Sequence, residues 1–166
     1  MLEETIGMAT KAPIRLVATS NPRKGIRTRQ TKKIARKANK PTRTKLIKEA
    51  DALMSKWVRL SRADEDGFVD CFTCDHSGHY KKMQNGHWIV RQYKYTRWDE
   101  DNTRPQCYAC NFLFNGRPHI FRENLVDEIG EERVKALEAR AKPLFKERDD
   151  FIQDIITVYS NKLELL

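Results

Sequence analysis

One stretch decides the fold of this chain: Cys71-Phe-Thr-Cys74, then Asn85-Gly86-His87-Trp88, then Asn102-Thr-Arg-Pro-Gln-Cys107-Tyr-Ala-Cys110-Asn111. The four cysteines of the protein form two Cys-x-x-Cys pairs, with 32 residues between Cys74 and Cys107. Each pair fits on one turn, so both of its sulfurs can point at one metal ion. Four thiolates in two such pairs suit a tetrahedral, structural Zn²⁺. The spacer is longer than in a simple zinc ribbon, so we expect it to hold structure of its own.

The cellular compartment bears on the state of these thiols. The sequence shows no apolar run of transmembrane length, and its start, Met1-Leu2-Glu3-Glu4, has the wrong charge for a secretory signal. We therefore expect a cytoplasmic protein with no membrane partner. Thiols stay reduced there, which favours metal binding over disulfides.

The positive charge is concentrated at the N-terminus. The formal net charge is +9, yet residues 1–50 hold 14 Lys/Arg against 3 Asp/Glu, while residues 51–166 hold 18 against 20. Such a block usually binds a polyanion, most often nucleic acid, although it can be a solvated tail. Residues 1–41 are interrupted by prolines and are predicted to be a largely disordered DNA-binding arm. Its candidate phosphate contacts are Lys32, Lys33, Arg36 and Lys37.

Residues 42–66 are predicted to form a basic amphipathic helix followed by a turn. Thr42 or Thr44 can cap this helix. One apolar stripe recurs at steps of four and three, and we expect it to pack on the zinc domain. The stripe consists of Leu46, Ala50, Leu53, Trp57 and Leu60.

Residues 67–120 are predicted to form the zinc-bound core. Alternation predicts a strand over 68–72, a tight turn over 75–78, a returning strand over 80–83 and a short strand over 88–90. A helix is expected to open at the second cysteine pair and run over 107–114. His76 and His79 lie near the first pair, but with four cysteines available we expect both to face solvent.

Residues 121–166 are predicted to be helical, with pieces over 122–129 and 131–141 and a last helix that follows Pro143 and runs to Leu163. The last helix is apolar around more than half its circumference. It is therefore either well buried or the contact surface of a homodimer.

His87 is the candidate catalytic residue inside the spacer. A lone histidine is more often structural, but this one stands between two asparagines, Asn102 and Asn111. A strand with His, a loop with Asn and a helix with a metal-ligating Asn are the parts of an HNH, or ββα-metal, nuclease. A neutral imidazole can take a proton from water at pH 7. Asn111 offers an oxygen to Mg²⁺ or Mn²⁺, and Asn102 is expected to hold the loop by bonding a backbone group or His87.

The segment 91–97 is basic with interleaved tyrosines, a composition suited to nucleic acid. Arg91, Arg97 and Arg104 are the candidates for neutralising phosphate charge.

The chain resembles the phage NinG/Rap recombination proteins, a group of HNH-like nucleases. The resemblance covers roughly Thr42 to Val134. It includes Lys45-Leu-Ile-Lys-Glu-Ala50, the first cysteine pair, Gly86-His87, Asn102-x-x-x-Gln106-Cys107-x-x-Cys110-Asn111, Gly116 and Ile129-Gly130. The family implies an α+β fold with a small zinc-bound ββα-metal core flanked by helices. It also implies a structure-specific endonuclease that cuts branched DNA, including Holliday junctions and displacement loops, in the host cytoplasm.

Two positions depart from that pattern. Typical HNH motifs carry Asp directly before the histidine, where this chain has Gly86, and Asn85 stands one position further back, where a relative carries Asp. The second ligand of a catalytic Mg²⁺ can thus be Asn85, Asp99, Asp101 or only water. Arg104 stands where some relatives carry His.

Two other functions fit the same residues. A non-catalytic, zinc-dependent DNA-binding accessory protein of recombination would need neither His87 nor Asn111, and the missing Asp supports it. A sequence-specific HNH endonuclease would cut plain duplex DNA and would need base-edge contacts.

Overall fold

The computed structural model describes residues 40–141 and 148–166, which form a mixed α+β unit. The predicted arm contacts Lys32, Lys33, Arg36 and Lys37 lie outside the described residues. The helices are α1 (Arg43–Leu60), α2 (Pro118–Ile129), α3 (Glu131–Arg140) and α4 (Asp149–Glu164), and the strands are β1 (Phe68–Asp70), β2 (Ser77–His79), β3 (Gln84–His87) and β4 (Thr103–Gln106). No helix in these ranges is long and apolar enough to span a membrane.

Helix α1 confirms the first predicted helix, but its buried face differs in detail. The side chains at steps of four, Leu46, Ala50, Met54 and Val58, are buried, while the predicted Leu53 and Trp57 are only partly buried beside them. This face packs on Ile152 and Tyr159 of α4, and α1 also contacts β3 and β4. The expectation that α1 packs on the zinc domain alone was therefore incomplete.

The strands form two separate antiparallel hairpins. Strand β1 pairs with β2 in the register Phe68↔His79 and Asp70↔Ser77. The predicted returning strand over 80–83 was misplaced, because the chain reverses within the first cysteine turn, where the Cys71 N–H donates to the His76 carbonyl at 2.8 Å. Residues 77 and 78, expected in a turn, are already in the strand.

The second hairpin pairs β3 with β4 in the register Gln84↔Gln106 and His87↔Thr103. The strand expected over 88–90 was wrong, since pairing ends at His87. Sequence reasoning missed β4 altogether. It contains Pro105 and Arg104, which argue against a buried strand, yet all four of its residues are buried.

The helix expected over 107–114 is a single π-helical turn, Ala109–Leu113. The Phe114 N–H donates to the Ala109 carbonyl at 2.9 Å, and the chain then leaves the helix through positive φ angles at Asn115, Gly116 and Arg117. Three consecutive residues in that region cannot continue a right-handed helix.

The C-terminal segment is helical as predicted. Helices α2 and α3 meet at Gly130, whose φ of +85° suits glycine. Within the described range, the last helix begins at Asp149, and it buries Ile152 and Tyr159 against α1 of the same chain. The burial of this face thus needs no second subunit, and the homodimer stays a prediction.

Candidate active site

The four cysteines converge on one point. Their Sγ atoms all lie within 4.8 Å of one another, and those of Cys74 and Cys107 are 3.8 Å apart. None of the four is in a disulfide. Zn–S bonds of about 2.3 Å in a tetrahedron place the sulfurs about 3.8 Å apart. The four residues therefore fit the predicted zinc ion, and neither His76 nor His79 belongs to the cluster.

Backbone groups prepare the sulfurs for a cation. The Cys107 N–H donates to Cys71 Sγ at 3.3 Å, and the Cys110 N–H donates to Cys107 Sγ at 3.4 Å. Burial raises the pKa of the Cys71 thiol, but the Cys107 N–H and Thr73 outweigh it and lower the pKa to about 7. Burial and neighbouring cysteines raise the pKa of Cys74 to about 12. A bound cation lowers the pKa of these thiols, because it deprotonates the thiols that it coordinates.

A polar cleft of about 260 Å³ lies next to this cluster, between α1 and β3. Three parts of the chain line it: one face of α1, strand β3 with residues on either side of it, and the residue that directly follows the last cysteine. The lining residues are Asp51, Ser55, Arg59, Met83, Gln84, Asn85, His87, Arg91 and Asn111. Four of the predicted site residues, Asn85, His87, Arg91 and Asn111, are thus brought together.

The alternation of β3 explains why Gly86 precedes the histidine. Asn85 and His87 both line the cleft, whereas Gly86 is buried against Gln106 of β4. A Cβ at position 86 would stand 2.2 Å from Gln106 Oε1. A side chain at position 86 would therefore point into the hairpin. The residue two positions before His87, Asn85, is the one whose side chain lines the same cleft as His87. The absence of Asp at position 86 removes no group from this cleft.

His87 is held by two backbone carbonyls. Its Nε2 lies 3.2 Å from the Arg97 carbonyl oxygen, and its Nδ1 lies 3.2 Å from the Asn85 carbonyl oxygen. Burial and the positive charge of Arg91 lower its pKa to about 4. The imidazole is thus neutral at pH 7, carries one N–H, and keeps one ring nitrogen as a proton acceptor.

The two asparagines of the cleft offer oxygen atoms. Asn111 Nδ2 donates to Gln84 Oε1 at 2.5 Å, which fixes its amide and leaves Oδ1 as its acceptor. Asn85 Oδ1 is buried and has no hydrogen-bond partner in the described part of the chain. A buried unpaired carbonyl oxygen is costly, so it calls for a ligand. The pair suits a hard cation such as Mg²⁺, which keeps most of its waters and needs few protein oxygens.

Asn102 does not line the cleft. It holds the 88–102 loop by bonding backbone groups, which is one of the two roles predicted for it. It is fully buried, and its Oδ1 accepts from the Ile89 N–H at 2.6 Å. Its Nδ2 donates to the carbonyls of Ile89 and Thr96 at 2.9 and 2.8 Å. These bonds occupy the whole amide, so Asn102 shapes the loop between β3 and β4.

The predicted phosphate-binding arginines differ in their surroundings. Arg91 is exposed and lines the cleft. Arg97 makes two bonds with the Asp51 carboxylate, at 2.9 and 2.5 Å. Arg104 is a correction: only 2% exposed, it bonds Glu128 at 2.7 Å and the carbonyls of Glu100 and Thr103. Its guanidinium ties β4 to α2 and cannot reach a phosphate on the surface.

Sequence reasoning missed the contribution of α1. Asp51, Ser55 and Arg59 recur at steps of four, so they form one polar ridge beside the buried stripe. That spacing was visible in the sequence. The spacing places these three residues in the cleft only because α1 lies across β3, and the sequence did not indicate that packing.

The described residues define a small α+β protein in which a four-cysteine cluster that could hold a metal such as zinc adjoins a polar cleft. The chain belongs to the family described as "Bacteriophage Lambda NinG protein", whose model matches residues 5–166. The resemblance to NinG proteins is thereby confirmed.

Two curated relatives match this chain. Protein ninG of Escherichia phage 933W and Protein ninG of Enterobacteria phage VT2-Sa are each 28% identical over 113 residues, which are 64% of this chain and 51% of the relative. The chain spans about half the length of the curated relatives it matches. No solved structure matches it.

Proposed function

We propose that this protein is a metal-dependent endonuclease of branched DNA, with His87 as the general base. The observation that carries the proposal is the cleft in which Asn85, His87 and Asn111 meet beside the cysteine cluster. The order of hairpin, turn and helix around them, β3–β4 followed by the cysteine turn and α2, is compatible with an HNH-like core.

The chemistry assigned to His87 follows from its bonds. A neutral ring can donate to only one of the two carbonyls that its nitrogens face, and we assign the N–H to Nε2, toward Arg97, and the lone pair to Nδ1. The attacking water then has to take the place of the Asn85 carbonyl beside Nδ1. Nδ1 then takes a proton from the attacking water. The low pKa keeps the imidazole in this basic form at neutral pH, at some cost in basicity.

The metal site is assigned to the two asparagines. Asn111 Oδ1 and the unpaired Asn85 Oδ1 would hold Mg²⁺ or Mn²⁺. The bound cation supplies charge neutralisation at the scissile phosphate and at the leaving 3′-oxygen. Asp99 and Asp101, the other sequence candidates, pair with Arg140 and Arg133 and do not line the cleft.

The substrate class rests on charge and family. The basic excess in residues 1–50 supports a DNA partner, and family membership supports a role in phage recombination. The neutral ligand set leaves the cleft free of unpaired carboxylates, since the Asp51 carboxylate bonds Arg97 and Trp98. Such a cleft can accept a phosphodiester without like-charge repulsion.

The test is cleavage of a labelled four-way junction beside a matched linear duplex, with and without added Mg²⁺, by wild type, His87→Ala and Asn111→Ala. We expect metal-dependent cutting of the junction by the wild type. His87→Ala should lose about 10²–10⁴-fold in rate while its melting temperature and junction affinity stay close to wild type. Asn111→Ala should be rescued in part by Mn²⁺ in excess.

The alternatives predict other results. Tight junction binding with no cutting in Mg²⁺ or Mn²⁺ would identify a DNA-binding accessory protein. Cutting of the plain duplex at a defined sequence would identify a sequence-specific HNH endonuclease. An active His87→Ala variant would remove the histidine from the mechanism.

A further inference from the structure

Arg59 faces the cleft from α1 and is held in place by backbone oxygens. Its Nε donates to the Ser55 carbonyl at 2.8 Å. Its Nη1 donates to the carbonyls of Tyr80 and Met83 at 2.8 and 3.0 Å. These bonds use three of the five guanidinium N–H groups and fix its plane. Within the described ranges, the two N–H groups of Nη2 make no hydrogen bond and are left to donate to a ligand.

The charge of Arg59 has no acidic partner. Within residues 40–141 and 148–166, no carboxylate forms an ion pair with it. Arg62, Arg97, Arg104 and Arg122, by contrast, are each paired with an Asp or Glu. Arg59 is also half-buried, and desolvation lowers its pKa. A partly desolvated cation is costly unless an anion compensates it.

We propose that Arg59 binds a phosphate of the DNA backbone inside the cleft, opposite His87, Asn85 and Asn111. This assignment rests on the proposed function, because it places the phosphate where those residues act. A guanidinium whose orientation is already fixed loses little side-chain entropy when it binds and is well suited to phosphate oxygens. Arg59 thereby takes the role that the sequence had assigned to Arg104.

A purely structural role is the competing explanation. Arg59 ties α1 to the turn over Tyr80–Met83, and loss of that tie alone would lower stability. It would not, however, make the protein respond differently to one particular phosphate. The test must therefore measure the coupling between the side chain and a single phosphate.

The experiment uses the full chain and a four-way junction in which single phosphates are replaced, one at a time, by neutral methylphosphonates. Affinity is measured without added Mg²⁺ or Mn²⁺, so that no cleavage is needed. Arg59→Met keeps the apolar stem and removes the charge. Arg62→Met is the matched control, since Arg62 stands just beyond the same helix but pairs with Glu128 at 3.7 Å.

For the wild type we expect one or two neighbouring methylphosphonates to weaken binding about tenfold or more, as for loss of a charge-assisted bond. Arg59→Met should bind the unmodified junction that much more weakly and be insensitive to those substitutions. Its plot of log affinity against log salt should lose about one unit of slope. Arg62→Met should keep the wild-type pattern.

Two results would overturn the proposal: an Arg59→Met variant as sensitive as the wild type to every methylphosphonate, or a wild type sensitive to none. If Arg59→Met fails to fold, Arg59→Lys is measured instead, and it should keep the salt slope but lose the position-specific coupling. Coupling without cleavage in Mg²⁺ or Mn²⁺ would support the phosphate site and refute the nuclease. Cleavage without coupling would support the nuclease and refute the phosphate site.

Discussion

The cysteine cluster and the polar cleft lie side by side but are built differently. The cluster draws its four ligands from two short turns, each of which sets the positions of its own two sulfurs. The cleft draws its residues from α1, β3 and Asn111, which are separated by as many as 60 positions along the chain. Asn111 directly follows Cys110, so the cluster positions one side of the cleft. Met83, which also lines the cleft, packs in one cluster with Cys71, Cys107 and Cys110.

The dependence of the cleft on the cluster can be tested by breaking the cluster. Cys107→Ser should remove zinc and cost on the order of 10 kcal/mol of folding free energy, which is comparable to the whole stability of a domain. We expect loss of the folded state, of bound zinc measured by elemental analysis, and of DNA binding. His76→Ala, an exposed change beside the first cysteine pair, is the control and should melt like the wild type. A well-folded, zinc-free Cys107→Ser protein would contradict the metal assignment.

The same difference explains why the sequence predicts the cysteine cluster better than it predicts the cleft. The spacing within each cysteine pair fixes local geometry, so the cluster could be identified without knowing the fold. His87, Asn85 and Asn111 were identified from their positions around the pairs. Arg59 was not, because nothing local connects it with His87. The long-range packing of α1 across β3 brings them together, while the buried stripe of α1 packs on α4.

Strand β4 shows the same limit at the level of secondary structure. Its sequence Thr-Arg-Pro-Gln has neither alternation nor β-branched enrichment, and the buried side-chain donors of Gln106 and Arg104 bond specific, distant partners. Gln106 Nε2 bonds Thr73 Oγ1 at 2.8 Å and the Gly116 carbonyl at 2.9 Å. Arg104 bonds Glu128. Partners 10 to 33 residues away cannot be read from a four-residue window.

The cleft can be disturbed without touching the cluster ligands by filling position 86. Gly86→Ala puts a Cβ 2.2 Å from Gln106 Oε1 and 2.8 Å from its Cγ, on a side chain held by two hydrogen bonds. Overpacking of this kind should cost about 3 kcal/mol and displace β3, so cleavage should fall while zinc stays bound. Urea unfolding and elemental analysis measure the two effects.

Gly130→Ala is the control for backbone strain. Gly130 has φ +85°, and a Cβ added there would meet no atom within 4 Å beyond its chain neighbours. Its substitution should therefore cost on the order of 1–3 kcal/mol, from the backbone conformation alone, and leave cleavage intact. Equal losses of stability and activity in the two alanine variants would show that the contact with Gln106 is unimportant.

Asp51 offers a smaller disturbance, on the α1 side of the cleft. Its carboxylate accepts from Arg97 Nε and Nη2 and from Trp98 Nε1, and the Arg97 carbonyl in turn faces His87 Nε2. Asp51→Asn should cost about 2 kcal/mol of stability by leaving a partly buried guanidinium without its partner. It should lower kcat more than it raises KM, because it loosens the base and leaves the phosphate contacts in place.

The control for Asp51 is an exposed ion pair. Asp149 bonds Arg43 at 2.6 Å with side chains 58% and 37% exposed, so Asp149→Asn should change stability by less than about 1 kcal/mol and leave kcat unchanged. If Asp51→Asn behaves in the same way, the position of His87 does not depend on α1.

The last expected effect is confined to acid pH and concerns the stability of the cleft. His87 has a pKa of about 4 in the folded chain against 6.5 for an ordinary histidine, since burial and Arg91 disfavour the charged ring. The unfolded chain therefore binds a proton more readily, and stability present above pH 6.5 is lost as the pH falls toward 4. His87→Gln removes the side chain that binds this proton. The difference in unfolding free energy between wild type and variant should shift against the wild type over that window, whereas acid effects on the cysteine cluster, common to both proteins, cancel. A difference that does not vary with pH would mean that His87 titrates like an exposed histidine, and its two carbonyl contacts would then have to be open to solvent.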